Sequence, residues 1–272
     1  MSSPAPITSF GLHRRGPHRS TWSLTVAVVA ITLIVSVAAM ASPRLMGLFV
    51  RDLPKARSGQ WWRFVTPVFV QPDGWGQLAF NLLGIAVVGA ALERRTSRTV
   101  WTLTFLLGGV GSIAIISAWH PPDPGGGSSD AVAALIGAFT VLLAFDDQYR
   151  RHQHPDRVHD QSVADTFSQL YCVFFVSYLA ALDLGGVWWS IIIGNTAIIA
   201  LVNARRVIRS ALPRACLVVV AAGGAIMTVK QDGHGIGIIA GIAVGTLIAW
   251  HGTTPTDAHL RVLRSGRDRR TI

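Results

Sequence analysis

The chain has 272 residues, half of them hydrophobic and only 14% charged, against about 25% charged in an ordinary soluble domain. Several uncharged runs of 16–20 residues exclude a single water-soluble core and predict an all-α polytopic membrane protein. A net charge of +10 invites a nucleic-acid partner, but the basic residues fall between the apolar runs rather than on one face, so they read as topology signals.

Residues 1–21 are polar, carry Arg14, Arg15 and Arg19, and read as a basic cytoplasmic tail. The first span is expected from Trp22 to Met40. Ala39-Met40-Ala41 has the small-x-small form of a signal-peptidase site, but the apolar run is longer than a usual signal core, which favours an uncleaved helix. Residues 41–74 form a long loop with Trp61, Trp62 and Arg63, whose aromatic pair suits the membrane interface. The second span is expected over Trp75–Leu92, closed by Glu93-Arg94-Arg95, and the third over Val100–Trp119.

A run of three glycines and two serines, Gly125 to Ser129, opens directly into the fourth span, Ser129–Phe145. The loop 146–165 carries His152, His154 and His159, and a solvated loop is favoured there over a metal site. Spans five and six, Thr166–Leu184 and Val187–Val202, are joined by Gly185-Gly186 and read as a hairpin. Span seven ends near Val229, and span eight runs from His234 to Trp250. This gives a membrane domain over 22–251 and a second basic tail, 252–272. Cys172 and Cys216 lie inside apolar runs without metal or disulfide spacing and read as buried small residues.

With the N-terminus inside, the cytoplasmic segments carry 18 of the 24 Lys and Arg residues. That split follows the positive-inside rule and predicts a plasma-membrane protein with both ends cytoplasmic. It also puts Ser129 and His234 on the same, outer side.

Ser129 stands where a helix begins, beside unpaired N–H groups and the positive end of the helix dipole. Such a serine is ordinarily a cap, but the field also suits a developing oxyanion. In span eight, Gly237, Gly241 and Gly245 recur every four residues and make a smooth stripe below His234. Ser129, Ala133 and Gly137 make a matching stripe on span four. Packing stripe against stripe brings a hydroxyl nucleophile and an imidazole base to one depth. On span two, Gln77, Asn81 and Gly84 share a face, and the two amides are candidate oxyanion donors. Interhelical packing alone accounts for each feature separately; their occurrence at one depth is what points to chemistry.

These motifs resemble those of the rhomboid family of intramembrane serine proteases, over roughly residues 61–145 and 213–250. Trp62-Arg63, Gln77 with Asn81, Glu93-Arg94-Arg95, Gly127-Ser128-Ser129 with Gly137, and His234 with Gly237 and Gly241 carry the likeness. The resemblance implies a six-helix core, here with an extra hairpin, Ser129 as nucleophile and His234 as base. It further implies Asn81 and the Ser129 N–H as oxyanion donors, with Gln77 where the family usually has histidine. Asp130 stands in place of a glycine, Ala133 in place of an aromatic residue that packs on the histidine, and Gln71 where histidine is common. The expected partners are membrane-embedded protein substrates within the lipid bilayer, and no cofactor or metal is expected. An inactive rhomboid-like protein that grips transmembrane helices is the second reading. A small-solute transporter ranks last, because no span interior carries the charges that ion pathways use.

Overall fold

The computed structural model describes residues 22–120, 124–153, 163–207 and 211–252. The two expected tails, apart from Gly252, and the loop histidines His154 and His159 lie outside the described residues. Eleven α-helices are found among the described residues: α1 (Ser23–Met40), α2 (Pro43–Phe49), α3 (Leu53–Arg57), α4 (Trp75–Gly84), α5 (Ala90–Glu93), α6 (Arg98–Trp119), α7 (Ser129–Gln153), α8 (Val163–Gly185), α9 (Val187–Val207), α10 (Leu212–Val229) and α11 (Gly233–Gly252). A π-helical turn, Ile85–Gly89, joins α4 to α5, so the expected second span is one continuous apolar stretch, Trp75–Glu93. Seven stretches among the described residues are long and apolar enough to cross a membrane. The apolar part of α9, Val187–Asn203, is shorter.

Helix α7 is the centre of the bundle. Ala131 to Ile136, Ala138 and Phe139 are completely buried, and α6, α10 and α11 all pack against it. A span that is apolar on every face belongs inside a ring of other helices, since a lipid-facing helix needs only one buried side. Helices α8 and α9 form the expected hairpin, turned at Gly186 in the left-handed region (φ +83°). The two differ in role. Helix α8 buries Gln169, Cys172, Phe175 and Val176 in the core, while α9 packs on α8 and leaves Trp188, Trp189, Ile192 and Ile199 exposed, as a lipid-facing surface does. Cys172 and Cys216 are buried free thiols.

The Glu93-Arg94-Arg95 motif ties the helices together at the end opposite the candidate site. Glu93 accepts hydrogen bonds from the Leu24 and Thr25 amides (3.2 and 2.9 Å) and from the Thr25 hydroxyl (2.7 Å), capping the otherwise unpaired start of α1. Arg95 pairs with Asp165 of α8 at 2.8 Å, lies 3.9 Å from Asp146 of α7, and stacks over Phe139 at 5.2 Å. One guanidinium thus links three helices.

Candidate active site

The loop 41–74 is held by its own polar side chains. The Arg63 guanidinium is buried and donates to Val50 O (2.9 Å) and Gln60 Oε1 (2.8 Å), and Trp62 Nε1 donates to Leu48 O. The loop then grips the glycine run: Arg51 N donates to Gly125 O (2.7 Å), and Gly127 N donates to Pro67 O (2.8 Å). Without that clamp a glycine run would have many conformations to lose on folding. With it, the backbone arriving at Ser129 is fixed.

Gly127 has φ +145°, a conformation that side chains avoid. Space gives a second reason for glycine here. A Cβ at Gly127 would meet Gln77 Nε2 at 2.7 Å, Ser129 Oγ at 3.3 Å and Gln71 Oε1 at 3.5 Å. The hydroxyl at the start of α7 and the amide from the first turn of α4 therefore converge on one small volume. Gln77 Nε2 already donates to Gly126 O (3.1 Å) and its Oε1 accepts from Asp73 N (3.1 Å), so the amide is oriented from both ends. Among the described residues its other N–H has no partner.

The two serines differ in environment. Ser128 is fully buried and accepts from Gln71 Nε2 (3.0 Å), while Gln71 Oε1 accepts from Asn81 Nδ2 (2.7 Å). The Asn81 amide is thus engaged in a buried chain, Asn81 to Gln71 to Ser128, beside Gly127. Ser129 is half-buried, and its Oγ makes no hydrogen bond among the described residues. Ser128 is structural in its contacts; Ser129 has the free hydroxyl.

His234 reaches the site because α11 lies almost backbone to backbone on α7. A Cβ on Gly237 would collide with Asp130 O, one on Gly241 with Ala134 O, and one on Gly137 with Ile238 O; one on Gly245 would sit 3.0 Å from Ala138 O. The seam on α7 takes in the carbonyl oxygens of Asp130, Ala134 and Ala138 together with Ala133 and Gly137, so two of the three residues of the expected Ser129, Ala133 and Gly137 face lie on it. Alanines at 133, 134 and 138 keep the α7 side of this seam smooth enough for the two backbones to approach.

The start of this seam decides what the imidazole meets. His234 Nδ1 lies 2.5 Å from Asp232 Oδ1, and the same oxygen accepts from His234 N at 2.9 Å. On the other edge, Nε2 is 3.9 Å from Asp130 Oδ1, the residue next to Ser129. Among the described residues no hydrogen bond joins Ser129 and His234. Burial alone would raise the Asp232 carboxyl, but the charge of His234 and its hydrogen bonds outweigh this and, with a contact from Asp183, lower it to about 2.

Two participants, Phe175 and Asp232, escaped the sequence reading, as did the contact that Gln71 makes. Phe175 of α8 meets the His234 ring edge-on (centroids 6.1 Å apart, 73°), supplying the aromatic neighbour that Ala133 does not. Gln71 joins Asn81 to Ser128. Asp232 had a local signal, an Asp two residues before a helical histidine, in the position of a helix cap. Phe175 had none, since the end of α8 and two whole helices, α9 and α10, separate it from His234 in the chain. Asp130, Asp232 and His234 form a donor cluster whose atoms lie within 4.8 Å of one another. The short Asp232–His234 hydrogen bond accounts for most of that proximity.

Fold and site together define a polytopic helical membrane protein with a serine at the start of its central helix and a histidine at the start of the helix packed on it. Comparison with known families matches residues 58–197 to the Rhomboid domain. The chain belongs to the rhomboid family. The match includes Gln77, Asn81 and Ser129 and ends before His234. The rhomboid protease GluP of Bacillus subtilis (strain 168) is 40% identical over 85 residues, which cover 31% of this chain and 16% of that protein.

Proposed function

We propose that this chain is an intramembrane serine endopeptidase that cleaves transmembrane protein substrates, with Ser129 as nucleophile and His234 as general base. The observation that carries the reading is the convergence at Gly127: a free Ser129 hydroxyl, an oriented Gln77 amide and a helix N-terminus around one small volume. His234 stands in the first turn of the adjoining helix. In the reaction Ser129 Oγ attacks the scissile carbonyl and its proton passes to His234 Nε2. The carbonyl oxygen gains negative charge facing the Ser129 N–H and the Gln77 amide, donors already aimed before the reaction starts. Collapse of the tetrahedral intermediate returns the proton to the leaving amine, and water repeats the cycle on the acyl-enzyme.

Sidedness follows the charge split, which supports a site at the outer face of the plasma membrane and cytoplasmic ends. Co-reconstitution of the full chain with a single-span reporter in liposomes tests the activity. Wild type is expected to release two fragments, and Ser129→Ala and His234→Ala none.

The helix-binding, inactive reading is favoured by one observation, the Asp130 carboxylate lying 3.9 Å from His234 Nε2. If Asp130 keeps that nitrogen occupied, the reporter is bound and left whole. Asp130→Gly then restores cleavage only if the remaining machinery is intact.

A further inference from the structure

We propose that Asp232 is a positioning residue for His234, so that the site works as a Ser129–His234–Asp232 relay rather than as a serine and histidine alone. The inference rests on the reading of His234 as the base.

Asp232 lies in the turn between α10 and α11, two residues before His234. Its Oδ1 receives two contacts from the same residue: the His234 amide at 2.9 Å and Nδ1 of the ring at 2.5 Å. The first is an ordinary helix cap. The second is not needed for capping, and it fixes the ring. An imidazole whose Nδ1–H is held by a carboxylate presents Nε2 as its free lone pair, which is the nitrogen on the α7 side of the ring.

The remaining surroundings of the ring agree. Phe175 meets its edge and blocks rotation, and side-chain exposure of only 20% for His234 and 19% for Asp232 keeps the pair largely out of water. Two carboxylates flank the ring in different ways. Asp232 touches Nδ1 within hydrogen-bond reach, whereas Asp130 stands 3.9 Å from Nε2, leaving a gap on the side where a serine proton must arrive. When Nε2 takes that proton the ring becomes an imidazolium, and the Asp232 carboxylate stabilises it without itself being protonated. The proton then leaves from Nε2 to the departing amine, so Asp232 ends the cycle as it began.

Capping and positioning are separable by substitution. Serine caps helices about as well as aspartate but is too short to reach Nδ1. Asparagine keeps the size and removes the charge; glutamate keeps the charge and reach but caps poorly. The experiment measures the second-order rate of fluorophosphonate labelling of the full chain in detergent, alongside thermal melts. Asp232→Ser and Asp232→Asn are expected to label about 100-fold more slowly than wild type or worse, while both still melt cooperatively, at temperatures lowered by loss of the carboxylate. Asp232→Glu is expected to label at least about tenfold faster than the serine variant despite a lower melting temperature. Labelling of Asp232→Ser at the wild-type rate overturns the proposal and leaves Asp232 a cap. Wild type that never labels overturns the protease reading itself, and the positioning role with it. Should the variants fail to fold, 15N NMR of histidine-labelled wild type decides. A proton on His234 Nδ1 at pH 8 is the expected result, and a bare Nδ1 with the proton on Nε2 overturns the proposal.

Discussion

At the scale of single residues, the site is built from amides and hydroxyls whose roles separate by what each already touches. Gln77 is held from both ends and has one N–H left to give, so Gln77→Ala is expected to lower kcat by about 10²–10³, or about 2.7–4 kcal/mol, with little change in melting temperature. Asn81 is different: its amide is engaged with Gln71 at 2.7 Å in a fully buried chain. Asn81→Ala strands the Gln71 carbonyl oxygen and is expected to cost about 1–3 kcal/mol of stability. A parallel set of melts and labelling rates distinguishes the two. Equal rate losses without any change in melting would show that both amides act on the oxyanion.

At the scale of elements, the contact between α7 and α11 is the joint on which the geometry depends. A Cβ on Gly241 overlaps the Ala134 carbonyl oxygen, an atom of helical backbone that has no rotamer to escape into. Gly241→Ala is therefore expected to cost about 1–3 kcal/mol, and Gly241→Leu to abolish folded protein. A Gly241→Leu chain that melts like wild type would mean that the helices do not meet along this seam. The turn before α11 adds a pH dependence. Asp232 is held at about 2 against an ordinary 3.8, so its ionised form is the one the fold favours. The stabilisation is complete above the ordinary value and disappears as the pH falls toward 2. The gap in melting temperature between wild type and Asp232→Asn is expected to be widest near about pH 5–7 and to close on acidification.

The spans were legible because each is an uncharged run of membrane-spanning length bounded by arginine, proline or glycine. The same logic located Ser129 and His234, since both sit where such a run begins. What was not legible depended on rotation about a helix axis and on contacts between distant segments. The small residues Ala133 and Gly137 do meet α11 as their spacing suggested, but that the carbonyl oxygens of Asp130, Ala134 and Ala138 share the seam is not written in the spacing. The edge-on contact of Phe175 with His234, and the bridge that Gln71 makes between Asn81 and Ser128, exist only once α8 and the 41–74 loop have docked. Asp232 was readable as a helix cap, whereas its reach to the imidazole depended on the rotamer of His234.

At the scale of the whole molecule, the bundle places its polar work at one end and its charge locks at the other. The Arg95 link to Asp165 and Asp146 and the Glu93 cap on α1 hold the far end, while the loop 41–74 clamps the glycine run at the site end. Cysteine-accessibility labelling in whole cells is expected to find residues 120–128 open from outside and 203–212 only from the cytoplasm, following the distribution of Lys and Arg. Access to 120–128 from the cytoplasm alone would invert the arrangement.

The most direct test of the central claim is to treat the detergent-solubilised full chain with a fluorophosphonate and map the adduct by mass spectrometry. A serine with no base within reach is a poor nucleophile, so labelling itself reports a working pair. The account predicts one adduct, on Ser129, which is lost in Ser129→Ala and in His234→Ala while both variants still melt cooperatively. An adduct on Ser128, labelling that persists in His234→Ala, or no labelling of folded wild type would contradict it.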